Sequence, residues 1–190
     1  MTLKKSFVVL KTTYVRWLLS SRLLIFAFAY MFFYVYFIEP LISLSDYFAT
    51  PLNSVEPFVS LMNSAYFLPL SALTYLILIS DYPKLDDSGT FILFRTGRYA
   101  WILGQIWFLI CSAMTFISFL LISSMLTVMS RSFLINAWSL VSKYTLKPEN
   151  AVLRPDFPFA IIDSSVINQS RPFEAVMHSV TLILMFMLSV

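Results

Sequence analysis

Four long stretches of this chain contain no Asp, Glu, Lys or Arg, and they restrict its fold more than any other feature. They cover residues 23–38, 58–80, 99–130 and 175–190. An α-helix of about 20 apolar residues crosses the roughly 30 Å hydrocarbon core of a bilayer. Because 59% of the residues are hydrophobic and only 12% are charged, these runs are not typical of a soluble domain. We therefore expect an all-α, polytopic helical membrane protein, with residues 1–190 forming a single transmembrane domain in the lipid bilayer.

The charge-free runs set the expected bounds of the membrane spans. We predict span 1 at residues 22–40, span 2 at 58–80, span 3 at 99–128 and the start of span 4 at 175–190. Pro69 lies in the middle of span 2 and predicts a kink there. The fourth run has 16 residues, which is short for a span, and no polar flank follows it. We therefore expect the natural chain to continue beyond Val190, so that this sequence is truncated in its fourth span.

Basic residues are distributed unevenly between the segments that join these runs. The first 22 residues carry five Lys or Arg and no acid, whereas residues 39–57 carry three acids and no base. By the positive-inside rule, the N-terminus and the 81–98 loop, which has three Lys or Arg, are cytoplasmic. Residues 39–57 and 131–174 are then external. The expected location is the cell membrane of a bacterium, with several passes through it.

The N-terminal segment has the spacing of an amphipathic helix. Its apolar and aromatic residues recur at three- and four-residue steps, at Phe7, Leu10, Tyr14, Trp17 and Leu18. Its basic residues fall largely elsewhere on the helix and suit an anionic lipid surface. We predict an interfacial helix at residues 4–21 that lies on the inner leaflet. The alternative is a simple basic anchor that fixes the topology.

All the glycines of the chain lie within sixteen residues, at Gly89, Gly97 and Gly104. Asp86 and Asp87 precede them, and acids there complement the dipole at the start of a helix. Arg95 then falls in the last turn, and Gly97 suits the left-handed residue that ends a helix. The pattern predicts a short cytoplasmic helix within residues 84–98 that turns sharply into span 3.

The middle of this short helix is apolar. Phe91 and Phe94 flank two further apolar residues, and four in a row on a short helix cannot all face one protein interior. Some of them must contact lipid headgroups or another protein. On these residues alone, an interfacial anchor and a docking element both remain open.

The order of these elements resembles that of permease subunits of type-2 ABC exporters, over residues 4–128. The residues that carry the resemblance are Asp86, Gly89, Thr90, Arg95, Gly97, Arg98, Trp101, Gly104 and Gln105. In that family this loop contains the coupling helix that sits on the ATPase subunit, and an elbow helix lies at the N-terminus. The family has six spans per subunit, whereas three and part of a fourth are visible in this chain.

The resemblance implies the permease subunit of an ATP-driven exporter of a hydrophobic or amphiphilic substrate. Its partners would be ABC ATPase subunits, which bind the ATP and Mg, and a second permease subunit, identical or homologous. The resemblance implies these ATPase-coupling residues: Asp86, Asp87, Gly89, Thr90, Phe91, Phe94, Arg95, Gly97 and Arg98.

The sequence lacks the motifs of several other functions. It has no GxxxxGK[ST] phosphate-binding loop and no catalytic motif, so we expect that this chain is not an enzyme and binds no cofactor itself. One Cys and one His do not make a metal site. A net charge of +3 without a basic stripe gives no indication of nucleic-acid binding. The interiors of the three clear spans carry no charged residue or His, which disfavours a proton- or ion-coupled carrier.

Span 2 carries the candidate residues for a polar substrate pathway, which are Asn63, Ser64, Ser71 and Thr74. The alternative role for these side chains is hydrogen bonding between helices. The alternative function for the whole chain is a non-transporting multi-span membrane interaction protein, such as an assembly or immunity subunit. In that case the external segment at residues 131–174 would be the working surface.

Overall fold

The computed structural model describes residues 2–83, 87–145 and 162–189, and most of these residues are helical. Within these ranges, three helices are long and apolar enough to cross a membrane, at Ser21–Phe48, Arg98–Arg131 and Pro172–Ser189. The prediction of a helical protein with several candidate membrane spans is therefore confirmed. The elements are α1 (Thr2–Leu18), α2 (Leu24–Phe33), α3 (Glu39–Phe48), β1 (Leu52–Asn53), α4 (Glu56–Asn63), α5 (Phe67–Ile79), α6 (Asp87–Thr96), α7 (Arg98–Val128), β2 (Ser132–Phe133), α8 (Leu140–Thr145), α9 (Ser164–Gln169) and α10 (Pro172–Ser189).

The first candidate span consists of helical segments that follow one another without a break. A 3₁₀ turn at Ser21–Leu23 leads into α2, and a π-helical turn at Tyr34–Ile38 joins α2 to α3. Pro40, in the first turn of α3, has no N–H to donate to the preceding turn, and the wider π turn accommodates this gap. The helix therefore continues past the predicted end at residue 40 and stops at Ala49, which has a φ of 49°.

The second predicted span is two helices rather than one. α4 and α5 meet at a bend of 91°. The predicted kink at Pro69 is wrong, because the break lies at residues 64–66 and Pro69 falls in the first turn of α5, where its missing N–H leaves no bond unmade. Glu56 at the start of α4 contacts Ser139 beyond α7, whereas the end of α5 contacts Arg22. The pair thus runs between opposite ends of the bundle. If it is counted as one bent span, the described residues contain up to four candidate spans.

Polar contacts tie the helices together at both ends of the bundle. At what we call the Arg22 end, the Arg22 guanidinium donates a hydrogen bond to the Ile77 carbonyl at 2.7 Å and pairs with Asp81. A cation at the C-terminus of α5 is favourable because the helix dipole is negative there. At the opposite end, called the Arg131 end, Arg131 forms an ion pair with Asp46. β1 and β2 also pair in parallel at the Arg131 end.

Aromatic side chains form much of the core between the candidate spans. Phe26 of α2 makes edge-to-face contacts with Phe116 and Phe119 of α7, at ring-centroid distances of 5.5 and 4.9 Å. Trp17 of α1 is fully buried and packs edge-to-face on Phe26 and Phe108. Because α1, α2, α4, α5, α6 and α10 all pack on α7, this helix is the axis of the fold.

The fourth predicted run corresponds to α10. This helix begins at Pro172, three residues before the predicted start at 175, and proline is favoured in the first turn of a helix. Part of the predicted external segment is ordered into β2, α8 and α9. Residues 146–161 of that segment lie outside the described residues.

Candidate functional site

The predicted short helix before span 3 is present as α6. It ends where predicted, at Gly97, whose N–H donates to the Leu93 carbonyl at 2.9 Å. Gly97 has φ 87° and ψ 152°, a backbone conformation essentially restricted to glycine. α7 begins at the next residue, Arg98. A single residue therefore joins α6 to the long helix that crosses the bundle.

α6 has one packed face and one open face. Its packed face includes the buried Gly89 and the half-buried Ile92, which lie next to Thr12 of α1 and Gln105 of α7 around a small cavity of about 30 Å³. The open face carries Phe91 and Phe94, whose exposed fractions are 65% and 83%. The sequence argument that the apolar run could not all pack inward is thus confirmed.

Two arginines lie beside these exposed aromatic rings. Arg95 and Arg98 are exposed, and neither has an ion pair or a side-chain hydrogen bond within the described ranges. Thr90 is half-buried on α6. Asp86 lies outside the described residues, and the side chain of Asp87 is not among those described. The structure therefore brings Phe91, Phe94, Arg95 and Arg98 to one exposed surface.

α1 supports α6 by packing closely on the first half of α7. A Cβ atom on Gly104 would lie 2.6 Å from Val9 Cβ and 2.9 Å from the Ser6 carbonyl oxygen, so the two helices meet where only glycine fits. Further along, the Tyr14 and Thr115 hydroxyls are 2.6 Å apart. The predicted N-terminal helix is present as α1, but it ends at Leu18 rather than at residue 21. Ser6 and Val9 lie on its buried stripe.

Phe7, which the sequence placed on the same stripe as Trp17, is exposed. The indole N–H of Trp17 donates to the Leu78 carbonyl at 3.1 Å, so the stripe that packs inward follows Trp17 and Val9 instead. α1 thereby contacts α5 as well as α7.

The four candidate pathway residues do not form one connected polar group. Asn63 donates to the Ser179 hydroxyl of α10 at 3.2 Å, which is a hydrogen bond between helices. Ser71 and Thr74 instead donate to carbonyls of their own helix, at 2.7 and 2.9 Å. The Ser64 hydroxyl is buried and has no hydrogen-bond partner in the described part of the chain. Only Asn63 and Ser64 lie at the break between α4 and α5.

A buried carboxyl that the sequence analysis treated only as a loop charge organises the Arg131 end. Glu56 is 0% exposed. Its Oε1 accepts from the Ser139 backbone N–H at 2.7 Å, and its Oε2 accepts from the Ser139 hydroxyl at 2.8 Å and the Asn53 N–H at 3.3 Å. The Asn53 side chain donates to the carbonyls of Ile135 and Ala137. Together these bonds fasten the start of α4 to the segment after α7.

No local pattern in the sequence could have identified this carboxyl. Glu56 precedes a proline at the start of a helix, where an acid is ordinary. Its main partner, Ser139, is 83 residues away in the chain, and only the packed fold brings the two together.

The Arg131 end also contains an open cavity of about 890 Å³. Polar and charged side chains line much of it, among them Asn136, Lys143, Asn168, Arg171 and Glu174. Among the described residues of this wall, Lys143 and Arg171 are basic and Glu174 is acidic. The cavity is a second place where another molecule could bind.

Comparison with known protein families, curated proteins and solved structures found no match for this chain. The class of protein is thus defined by the fold alone: a helical protein with three candidate membrane spans and an exposed aromatic and basic surface on α6.

Proposed function

We propose that this chain is the membrane-spanning permease subunit of an ATP-driven ABC exporter. In this proposal α6 is the cytoplasmic coupling helix, α1 is the interfacial elbow helix and the N-terminus is cytoplasmic. A separate ATPase subunit binds α6, and a second permease subunit completes the pathway for a hydrophobic or amphiphilic substrate.

The open face of α6 is the observation that carries this proposal. Phe91 and Phe94 expose two large rings next to Arg95, which has no ion pair with any described residue, and the opposite face of the helix packs on α1 and α7. Buried aromatic and arginine side chains contribute most of the binding energy at many protein interfaces. A helix that holds such side chains on a rigid base is suited to docking on a partner.

The junction at Gly97 supports a coupling role for this surface. When the ATPase subunits close on ATP, they would displace α6. Because one residue joins α6 to α7, the displacement would pass directly to α7 and then to the helices packed on it. The buried base under α6, where Gly104 meets Val9, would keep α6 from moving independently of α7.

Purification of the tagged chain from its own membrane tests this proposal. Native mass spectrometry should detect two membrane chains with two nucleotide-binding subunits, and the preparation should hydrolyse ATP. Phe91→Asp and Arg95→Glu should each remove the ATPase subunits, because one places a charge in an apolar contact and the other reverses a contact charge.

Leu134→Asp is the matched control, since Leu134 is 58% exposed but lies just after β2 at the Arg131 end. This variant should retain the complex and its ATP hydrolysis. The proposal fails if the wild-type chain purifies without a nucleotide-binding subunit, or if Phe91→Asp and Arg95→Glu assemble and transport normally.

The cavity at the Arg131 end favours the second candidate, a membrane interaction protein that does not transport. Its polar lining, including Lys143 and Asn168, would then bind an external partner. Lys143→Glu and Asn168→Trp should abolish function under this alternative, whereas Phe91→Asp should leave it intact. The opposite result would favour the permease.

A further inference from the structure

The corner between α6 and α7 forms a groove that shares Phe94 and Arg98 with the exposed surface of α6 and extends from it onto α7. It is lined by Leu93, Phe94, Gly97, Arg98, Trp101 and Ile102, and its volume is about 550 Å³. This volume falls within the range of about 300–1,000 Å³ that ligand sites have. From the geometry we infer that this groove binds one anionic phospholipid, with its phosphate on Arg98 and an acyl chain along the apolar wall.

The charge at the mouth of the groove determines the headgroup. The guanidinium of Arg98 is exposed and makes no ion pair with any described residue, and the same holds for Arg95 in the last turn of α6. A guanidinium presents paired N–H donors that match phosphate oxygens. Trp101 lies one turn beyond Arg98, and tryptophan favours the headgroup level of a bilayer.

The wall of the groove favours a lipid over a protein segment. Ile102 is 42% exposed, and the exposed stripe continues along α7 through Ile106 and Met114. An acyl chain that enters the groove can therefore follow α7 into the hydrocarbon core. Gly97 makes the corner, and its missing side chain leaves open space where a Cβ would meet no atom within 4 Å.

This inference requires that Arg98 lies at a membrane surface, but it does not require an ATPase partner. The two proposals can therefore fail separately. Phe91 tests the partner, and Ile102 tests the lipid. Arg98 lies on both surfaces, so its effect on lipid affinity is measured on the purified chain without an ATPase subunit.

Tryptophan quenching by brominated lipids tests the inference on the purified full chain in detergent micelles. Brominated phosphatidylglycerol should quench the fluorescence at a lower lipid fraction than brominated phosphatidylcholine does. The measurement uses Trp107→Phe as the background, because Trp107 lies on the same helix and is 46% exposed, whereas Trp17 and Trp138 are buried. In this background the difference should disappear when Trp101→Phe is added. In Arg98→Gln the affinity for phosphatidylglycerol should fall about five-fold, as expected for one basic residue near an anionic surface. Arg98→Lys should restore most of it.

Arg171→Gln removes the same charge from an exposed site at the Arg131 end, the opposite end of the bundle, and serves as the matched control. Ile102→Phe fills the groove without changing any charge, and native mass spectrometry should show loss of the bound lipid from this variant. Equal quenching by the two lipids would show that the groove contacts lipid without preference for an anionic headgroup, and this would overturn the inference. So would an equal loss of phosphatidylglycerol affinity in Arg171→Gln and Arg98→Gln, or full lipid retention by Ile102→Phe.

Discussion

The contact between α1 and α7 at Gly104 gives a quantitative prediction. In Gly104→Ala, the new Cβ would lie 2.6 Å from Val9 Cβ, 2.7 Å from Val9 Cγ1 and 2.9 Å from the Ser6 carbonyl oxygen. Contacts below 3 Å between these atoms are strongly repulsive, so α1 must move away from α7. The Ser6 oxygen belongs to the backbone of α1, so a change of side-chain rotamer cannot relieve that contact.

Two effects of opposite sign determine how much Gly104→Ala changes the free energy of unfolding. Overpacking of a close contact costs about 1–3 kcal/mol, and three short contacts place this site at the upper end. Alanine is more favourable than glycine in a helix interior by about 1 kcal/mol. The expected net loss in the free energy of unfolding is therefore about 1–2 kcal/mol. For a chain of this length, that corresponds to a fall in melting temperature of about 2–8 °C.

Thermal unfolding in detergent micelles measures the loss of stability, and limited trypsin digestion shows which part of the chain has loosened. If α1 moves away from α7, cleavage after the exposed Lys11 and Arg16 should accelerate. Val9→Ala combined with Gly104→Ala should recover only part of the loss, because the alanine keeps the Cβ at position 9. A rise in stability of about 1 kcal/mol in Gly104→Ala alone, as helix propensity predicts, would refute the close contact between these helices.

Substitutions at three further positions test other parts of the structure by the same thermal unfolding measurement. Glu56→Ala should lower the free energy of unfolding by about 3 kcal/mol, because it leaves buried donors of Ser139 without an acceptor. Glu56→Gln should lower it less, because one acceptor oxygen remains. Equal stability of Glu56→Ala and wild type would exclude this network. Arg131→Gln should cost less than about 1 kcal/mol, with the loss shrinking in high salt, because its pair with Asp46 is more than half exposed. Gly97→Ala should cost about 1–3 kcal/mol although the site is open, since φ 87° disfavours any side chain, and an unchanged melting temperature would show that this junction is relaxed.

Hydrophobic patterning predicted the helices of this protein well because lipid and core contacts both require apolar side chains. The runs at 23–38 and 99–130 each lie within a candidate span, and Gly97 ends α6 as its conformational freedom predicted. The boundaries were less predictable. Pro40 was expected to end a helix, but a local π turn lets the helix continue.

Other features depend on contacts between residues far apart in the sequence. Pro69 was a reasonable place for a kink, yet the break lies at residues 64–66, next to the hydrogen bond from Asn63 to Ser179, a residue 116 positions further along the chain. The polar residues of span 2 were grouped by composition, but the hydroxyls of Ser71 and Thr74 donate to carbonyls of their own helix.

Local sequence patterns were enough to predict that the chain is helical, where its apolar runs lie and that α6 would carry more apolar surface than it could bury. Each of these follows from local composition and from the period of an α-helix. Three features followed only from the tertiary contacts. Phe91 and Phe94 are the rings that stay exposed, α1 packs on Gly104, and Glu56 accepts hydrogen bonds from Ser139. The burial of a side chain and its hydrogen-bond partners depend on how the helices pack. Packing brings together residues that are far apart in the sequence, and no local sequence pattern indicates such contacts.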